Sequence, residues 1–596
     1  MERRVLLAFF LSFLVLFAYQ SLLVPPPPAP ESTTVDADFM SDPAPPATLD
    51  AVPAPAPPPP AAPDVTTAPE PAPVVADTEP RESVVEGEAF RAIFANRGGE
   101  LISWQLKDYL DEGSRAEVEL VPRDLPSDEP WPFTLVFEDE VITARVHEAL
   151  FRPSATSVRL TDRAQTLTFD YEEAGGLRVR KEFRFDPAIH PFLVVVSVEA
   201  SLGEMRLSPT IRWGPALGGV ESARSGVAYR VGPRGVMYGR VQQEDGVLGA
   251  ADVEWLDAGD VARQPSYEGQ LGFVGVDNHY FLAAAMPENR ATRVTYRAVP
   301  LPPSVPDGDS RDLMAFDVNL ADGVTEVPFF LGPKDFEILE TASPSLVRSI
   351  EFGWLSWLVV PLHRTLKWVH GFVGNWGWAI ILLTILINVV IFPLNHKSVT
   401  SMRKMQELQP EMKAIQERYA HLKATDPDKQ KMNQEIMGLY RDRGVNPASG
   451  CLPMLLTMPI LFAFYRLLSV AVEIRGEPFI LWIQDLSLHD PLYVTPLIMG
   501  GTMVLQQRMT PTQADPMQQK IMMFMPVFFT FLFLWAPSGL VLYWLTSNVI
   551  RMGQQVVTNR IIGPPKVRTV RPPAERRIKK AGAKNQGAKH RTQVAD

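Results

Sequence analysis

The chain has 596 residues, more than one hydrophobic core needs, so several units are expected. Hydrophobic residues make up 46% and charged ones 21%, and the formal net charge is −11; these averages hide an acidic region before residue 340 and an almost purely basic stretch over 560–591. A single cysteine, Cys451, excludes an intramolecular disulfide, and no Cys/His cluster has metal-ligand spacing, so no metal and no cofactor is expected.

The basic start MERR precedes an apolar run to residue 24. The run approaches the ~20 residues that span a bilayer, and LLVPPPP follows it in place of a small-x-small cleavage site. Residues 1–24 therefore read as a retained anchor whose arginines hold the N-terminus in the cytoplasm. Residues 25–80 are nearly all Pro, Ala, Asp, Glu, Thr and Val, which bury no core and act as an extended tether. From 81 to 344 the texture changes to short alternating runs such as TLTFDYEE, LRVRKEFRF and FLVVVSVEA, punctuated by Gly, Pro and Asp. That pattern predicts one large exported β-sandwich, read as a scaffold because no acid/base pair stands out in it.

Residues 345–375 mix Trp354, Trp357 and Trp368 with His363, Arg364 and Lys367, as a helix lying in the membrane interface does. Five spanning candidates follow: 376–394, 452–472, 492–507, 517–535 and 538–557, the third of them short. With the anchor this predicts six spans. The positive-inside rule places 395–450, the loop with Arg508 and Lys520, and the basic tail 558–596 in the cytoplasm. Within 395–450, Met402, Met405, Leu408, Met412, Ile415, Tyr419 and Leu422 recur at spacings of three and four, and Met432, Ile436 and Leu439 repeat the pattern after a break. This reads as a helical hairpin on the cytoplasmic side.

Polar residues interrupt three of the spans. Thr384, Asn388 and Asn395 fall near one face of the second, and Thr502, Gln506 and Gln507 end the fourth. Trp544, Asn548, Arg551 and Gln555, spaced four, three and four, share one face of the last. An arginine in mid-span costs roughly 2.5–3.5 kcal/mol on insertion scales, so it faces a bundle interior or a wet cavity, the alternative being a helix-end arginine that snorkels to the headgroups. The expected hydrophilic groove is Thr384, Asn388, Gln506, Trp544, Asn548, Arg551 and Gln555. Arg466, nearer the outer end of its span, is expected to snorkel. No Ser/His pair, paired aspartate or metal motif occurs in the spans, so no catalytic residues are assigned. A solute transporter using the same groove is the alternative, though no internal repeat supports it.

The runs FFLGPKD, VHGFVGNWGWAI, RKMQELQPEMKAIQERY, NPASGCLPMLLTMPIL, DPMQQKIMMFMPVFF and WAPSGLVLYWLTSN together resemble the YidC branch of the YidC/Oxa/Alb insertase family. The resemblance covers nearly the whole chain from residue 81. It implies a multi-pass inner-membrane insertase and chaperone with a five-helix core plus anchor, a periplasmic β-supersandwich and a cytoplasmic hairpin. It further implies nascent membrane proteins, the Sec translocon, the ribosome (through hairpin and tail) and membrane lipids as partners, with no small-molecule substrate. Flexible thioethers suit a surface that accepts many apolar segments, and equally they fill irregular cores. The substrate-contacting surface is accordingly assigned to Met454, Met458, Met503, Met522, Met525 and Tyr543. One departure stands out: the family's groove arginine, five residues before the FPL-like proline, is Asn388 here. Arg551 on a neighbouring helix is the expected replacement.

Overall fold

A computed structural model describes residues 73–111, 116–122, 129–217, 233–243, 247–288, 290–301, 311–320, 326–419, 428–445, 452–509 and 516–562. The expected anchor, most of the tether and most of the basic tail lie outside the described residues.

The N-terminal part is sheet-rich. Among the described residues a 15-stranded sheet follows one long antiparallel path with side branches, and a 5-stranded sheet faces it. Regular structure begins inside the expected tether, before residue 80: Pro73–Val75 adds a strand to the large sheet by pairing with Gln165–Glu173. It lies at one end of the strand order, an edge where proline's missing N–H is tolerated.

Period-two alternation sets the inner face. In Leu177–Phe185 the side chains of Leu177, Val179, Phe183 and Phe185 point inward while Arg178, Arg180 and Arg184 face water. Phe94 of the small sheet meets Phe183 with centroids 4.6 Å apart, and Phe90 stacks on Trp104 at 4.1 Å. Such rings bury large apolar areas and hold the two sheets in register. The same alternation forces Lys181 into this core, where it is 1% exposed. Its ammonium donates to the carbonyls of Gly98 (2.6 Å), Phe133 (2.8 Å) and Gly99 (3.3 Å). Gly98 and Gly99 adopt φ +63° and +60°, left-handed values that suit glycine. Burial pushes the Lys181 ammonium down to about 8, partly opposed by the charge of Glu100.

The rest of the described chain is helical: α1 (Ser356–Val373), α2 (Trp376–Arg418), α3 (Asp428–Asp442), α4 (Leu452–Val470), α5 (Val494–Met509), α6 (Pro516–Leu532) and α7 (Ser538–Ile562). The helix begun at Trp376 does not stop near Leu394. It continues through Pro393 and Pro410 to Arg418, each proline costing one backbone bond without ending the helix. Residues 408–445 form a unit by themselves, in which Arg418 pairs with Glu435 at 2.6 Å and Arg443 with Glu411 at 2.9 Å. Tyr440 adds an O–H donated to Met412 Sδ at 2.9 Å.

Among the described residues α2 is the helix long and apolar enough to cross a membrane by length and composition; shorter apolar stretches cover Leu456–Val470 and Met523–Trp535. Polarity is reversed relative to a water-soluble bundle. Val389, Val390, Met523 and Phe524 are more than half exposed, whereas Thr384, Asn388 and Asn548 are buried. An apolar exterior around polar contacts is what a hydrocarbon solvent selects.

The sandwich meets the helices through charge. Glu351 accepts Arg466 of α4 (3.1 Å) and Arg234 (3.2 Å). Asp277, fully buried, accepts Arg234 (3.0 Å) and Lys334 (2.9 Å). Arg466 therefore does not snorkel: its partner lies 115 residues away, and its Nε also donates to the Glu351 carbonyl at 2.7 Å. Asp335 caps the helix Phe336–Ala342 and lies 3.5 Å from Lys367 of α1. Burial works to raise the Asp335 carboxyl, but the Ile338 N–H, Lys367 and further hydrogen bonds outweigh it and hold it low. The opposite side of α1 leaves Trp357, Trp368 and Phe372 exposed, and Gly374 ends it in the left-handed conformation.

Candidate functional site

A cavity of about 330 Å³ opens among α2, α4, α5, α6 and α7. The α7 stripe makes its polar wall. Trp544, Asn548, Arg551 and Gln555 all line it, joined by Ser547, Gln554 and Thr558 on adjoining positions of the 3.6-residue repeat. The apolar wall is Met458 and Leu461 from α4, Met509 from α5 and Phe529 from α6, with Gln506 between the two kinds of surface.

Hydrogen bonds fix the polar wall along the α2–α7 seam. Asn388 Nδ2 donates to Ser547 Oγ at 3.3 Å, Gln554 Nε2 to the Asn388 carbonyl at 3.0 Å, and Asn395 Nδ2 to Gln554 Oε1 at 3.3 Å. His396 Nδ1 lies 3.3 Å from Thr558 Oγ1 and the Arg403 guanidinium donates to Asn559 Oδ1 at 2.5 Å. Pro393, in the same stretch of α2, offers no N–H to the Val389 carbonyl. Between α7 and α5, Asn548 Nδ2 donates to Thr502 Oγ1 at 3.2 Å.

Arg551 dominates the electrostatics. Among the described residues, no Asp or Glu lines the cavity. Its Nε is buried without a hydrogen-bond partner, and among the described residues no carboxylate pairs with it. A single positive charge in a mostly apolar pocket attracts an anion at 4 Å by about 4 kcal/mol at an effective dielectric of 20. The arrangement holds no nucleophile–base pair; chemically it can solvate polar or anionic groups inside an apolar bundle.

Five of the seven groove residues named from the sequence line this cavity: Gln506, Trp544, Asn548, Arg551 and Gln555. Thr384 and Asn388 do not. Thr384 donates to the Ile380 carbonyl of its own helix at 2.6 Å, and Asn388 sits in the α2–α7 seam. Of the apolar set, Met458 and Tyr543 line the cavity, Tyr543 stacking on Phe464 at 4.3 Å. Met503 packs against the helix core and Met525 is half-buried on α6. The side chains of Met454 and Met522 lie outside the described residues. Ser547, Gln554 and Thr558 were missed, although they continue the α7 stripe at spacings of seven and four.

Residues 368–564 match the family model described as 60Kd inner membrane protein, and residues 82–365 match that of the YidC periplasmic domain. The membrane protein insertase YidC of Syntrophus aciditrophicus is 34% identical over 581 residues, covering 94% of this chain and 100% of that protein. This chain belongs to the YidC family. A second YidC insertase, from Geobacter metallireducens, is 36% identical over 575 residues, covering 94% of this chain and 99% of its own length. A crystal structure of an active YidC insertase with its first transmembrane domain resolved is similar at 18% identity and a TM-score of 0.32, covering 82% of this chain and 94% of that one. In YidC terms, residues 82–365 are the periplasmic-domain match and the cavity falls within the membrane-protein match.

Proposed function

We propose that this chain is a membrane-protein insertase and chaperone, non-enzymatic, whose cavity receives the polar end of a nascent segment while its apolar part passes into lipid. Carrying an unpaired polar group through hydrocarbon costs roughly 4–8 kcal/mol, and a pocket of preset donors reduces that cost. The observation that supports this most is the joining of Arg551 and amide donors to a Met/Phe wall inside a bundle with an apolar exterior. The polar wall serves the translocating end and the apolar wall the segment that stays. Arg551 takes the part of the arginine absent at Asn388, since Asn388 bonds Ser547, one turn before Arg551 on α7.

The proposed topology is six spans in the inner membrane, with both termini cytoplasmic, the sandwich periplasmic and the hairpin of α2 and α3 cytoplasmic. Positive-inside charge and the reversed polarity of the helices support it. The hairpin and the basic tail suit contacts with the ribosome, whose phosphates attract clustered Lys and Arg, and with anionic lipid. Insertion proceeds alone or beside the Sec translocon.

The test replaces Arg551 in the full chain and measures support of growth when the resident insertase is depleted. Arg551→Ala is expected to impair growth and Arg551→Ala with Asn388→Arg to restore it. Full support by the single variant, or uptake of labelled solutes by vesicles holding the chain, overturns the reading.

A further inference from the structure

Several inward-facing cations among the described residues have partners. Arg234 and Lys334 share the buried Asp277, Arg466 holds Glu351, and Lys181 is wrapped by three carbonyls. Arg551 differs from these. Its Nε is buried without a partner, and among the described residues it makes no hydrogen bond or ion pair and no carboxylate lines the cavity it faces. A guanidinium at this depth calls for an anion or water whenever no substrate is present.

We propose that between substrates the cavity holds the headgroup of an anionic phospholipid, its phosphodiester against Arg551. This rests on the reading of the cavity as the path of the nascent chain, and makes the lipid the species that each incoming segment displaces. The lining suits an amphipathic guest. Arg551, Asn395 and Gln555 present the polar side, while Leu461, Phe529 and Met458 present a surface for the start of an acyl chain. Guanidinium and phosphate match as planar donor fork and multiple acceptor. Free phosphate offers the same chemistry but leaves the apolar wall uncovered and must shed its water. In a bilayer the exposed apolar faces of α2 and α6 border lipid, which makes lipid the source at hand.

Native mass spectrometry of the full chain released from nanodiscs of equal phosphatidylglycerol and phosphatidylethanolamine tests this. One phosphatidylglycerol should survive activation that strips the other lipids. Arg551→Gln should lower the retained fraction about tenfold, the scale of one charge-assisted contact. Arg551→Lys should retain part of it, and Arg560→Gln, exposed later on the same helix, should retain all. Equal retention in the wild type and Arg551→Gln, equal retention of phosphatidylethanolamine, or displacement by millimolar inorganic phosphate overturns the proposal. Insertion into vesicles separates it from the reading beneath. If Arg551→Gln loses the lipid yet inserts normally, the groove reading fails and the lipid site stands. If it keeps the lipid and loses insertion, the lipid site fails and the groove reading stands.

Discussion

Asp277→Leu strands a charge at the junction between sandwich and helices. Asp277 is fully buried, 2.9 Å from the Lys334 ammonium and 3.0 Å from Arg234. At 2.9 Å and an effective dielectric of 20 the lysine attraction alone is about 6 kcal/mol, most of which offsets the desolvation of both ions. Without the carboxylate, Arg234 keeps Glu351 at 3.2 Å, but Lys334, 6% exposed, keeps no counter-ion among the described residues. Breaking one side of such a pair costs about 3–5 kcal/mol, whereas replacing both partners with apolar residues is close to neutral. Asp277→Leu should therefore destabilise the full chain by about 3–5 kcal/mol in denaturant unfolding in micelles, and adding Lys334→Met should recover most of that loss. The loss should also shrink as pH rises, because burial already pulls the Lys334 ammonium below its usual range and a neutral amine is less costly there. Additive losses in the double variant, or a pH-independent single loss, would refute this account of the junction.

Three further outcomes follow from the same geometry. Lys181 stays protonated to about 10.5 when unfolded but only to about 8 when folded, so between these values the unfolded state binds more protons; hydrogen exchange of the Leu177–Phe185 amides, corrected for intrinsic rate, should show stability rising from pH 8 towards 10 by at most about 1.4 kcal/mol per unit. Asp335 runs the other way: its carboxyl is held below the ordinary value, so the stability it lends is present above pH 4 and lost as pH falls through the folded value, and Asp335→Asn should flatten that acid limb of the unfolding curve. Gln554→Leu removes the amide that joins the Asn388 carbonyl to Asn395, and should lower stability by about 1–3 kcal/mol in the same unfolding assay while leaving sandwich exchange unchanged.

The sandwich strands were legible because one face packs on apolar neighbours, and the Leu177–Phe185 alternation points even Lys181 inward. The α7 stripe was legible because helical spacing places Trp544, Asn548, Arg551 and Gln555 together whatever surrounds them. What the sequence does not carry is which neighbour each face meets. Arg466 looks like a snorkelling arginine until Glu351, distant in sequence, arrives beside it. Thr384 and Asn388 lie on a polar face of α2, yet that face is consumed by its own backbone and by Ser547. Continuity of α2 past Pro393 was hidden for a related reason: a proline removes one bond, and the remaining bonds of the ladder carry the helix on.

The most direct test of the central claim compares photo-crosslinkers at Tyr543, on the cavity wall, and at Val390, on the apolar exterior of α2, against a ribosome-stalled nascent membrane protein in vesicles. The account predicts that the polar leading end of a short nascent chain crosslinks from Tyr543 and not from Val390, and that Arg551→Ala abolishes the Tyr543 product. Equal crosslinking from both positions, or a Tyr543 product that survives Arg551→Ala unchanged, would contradict it.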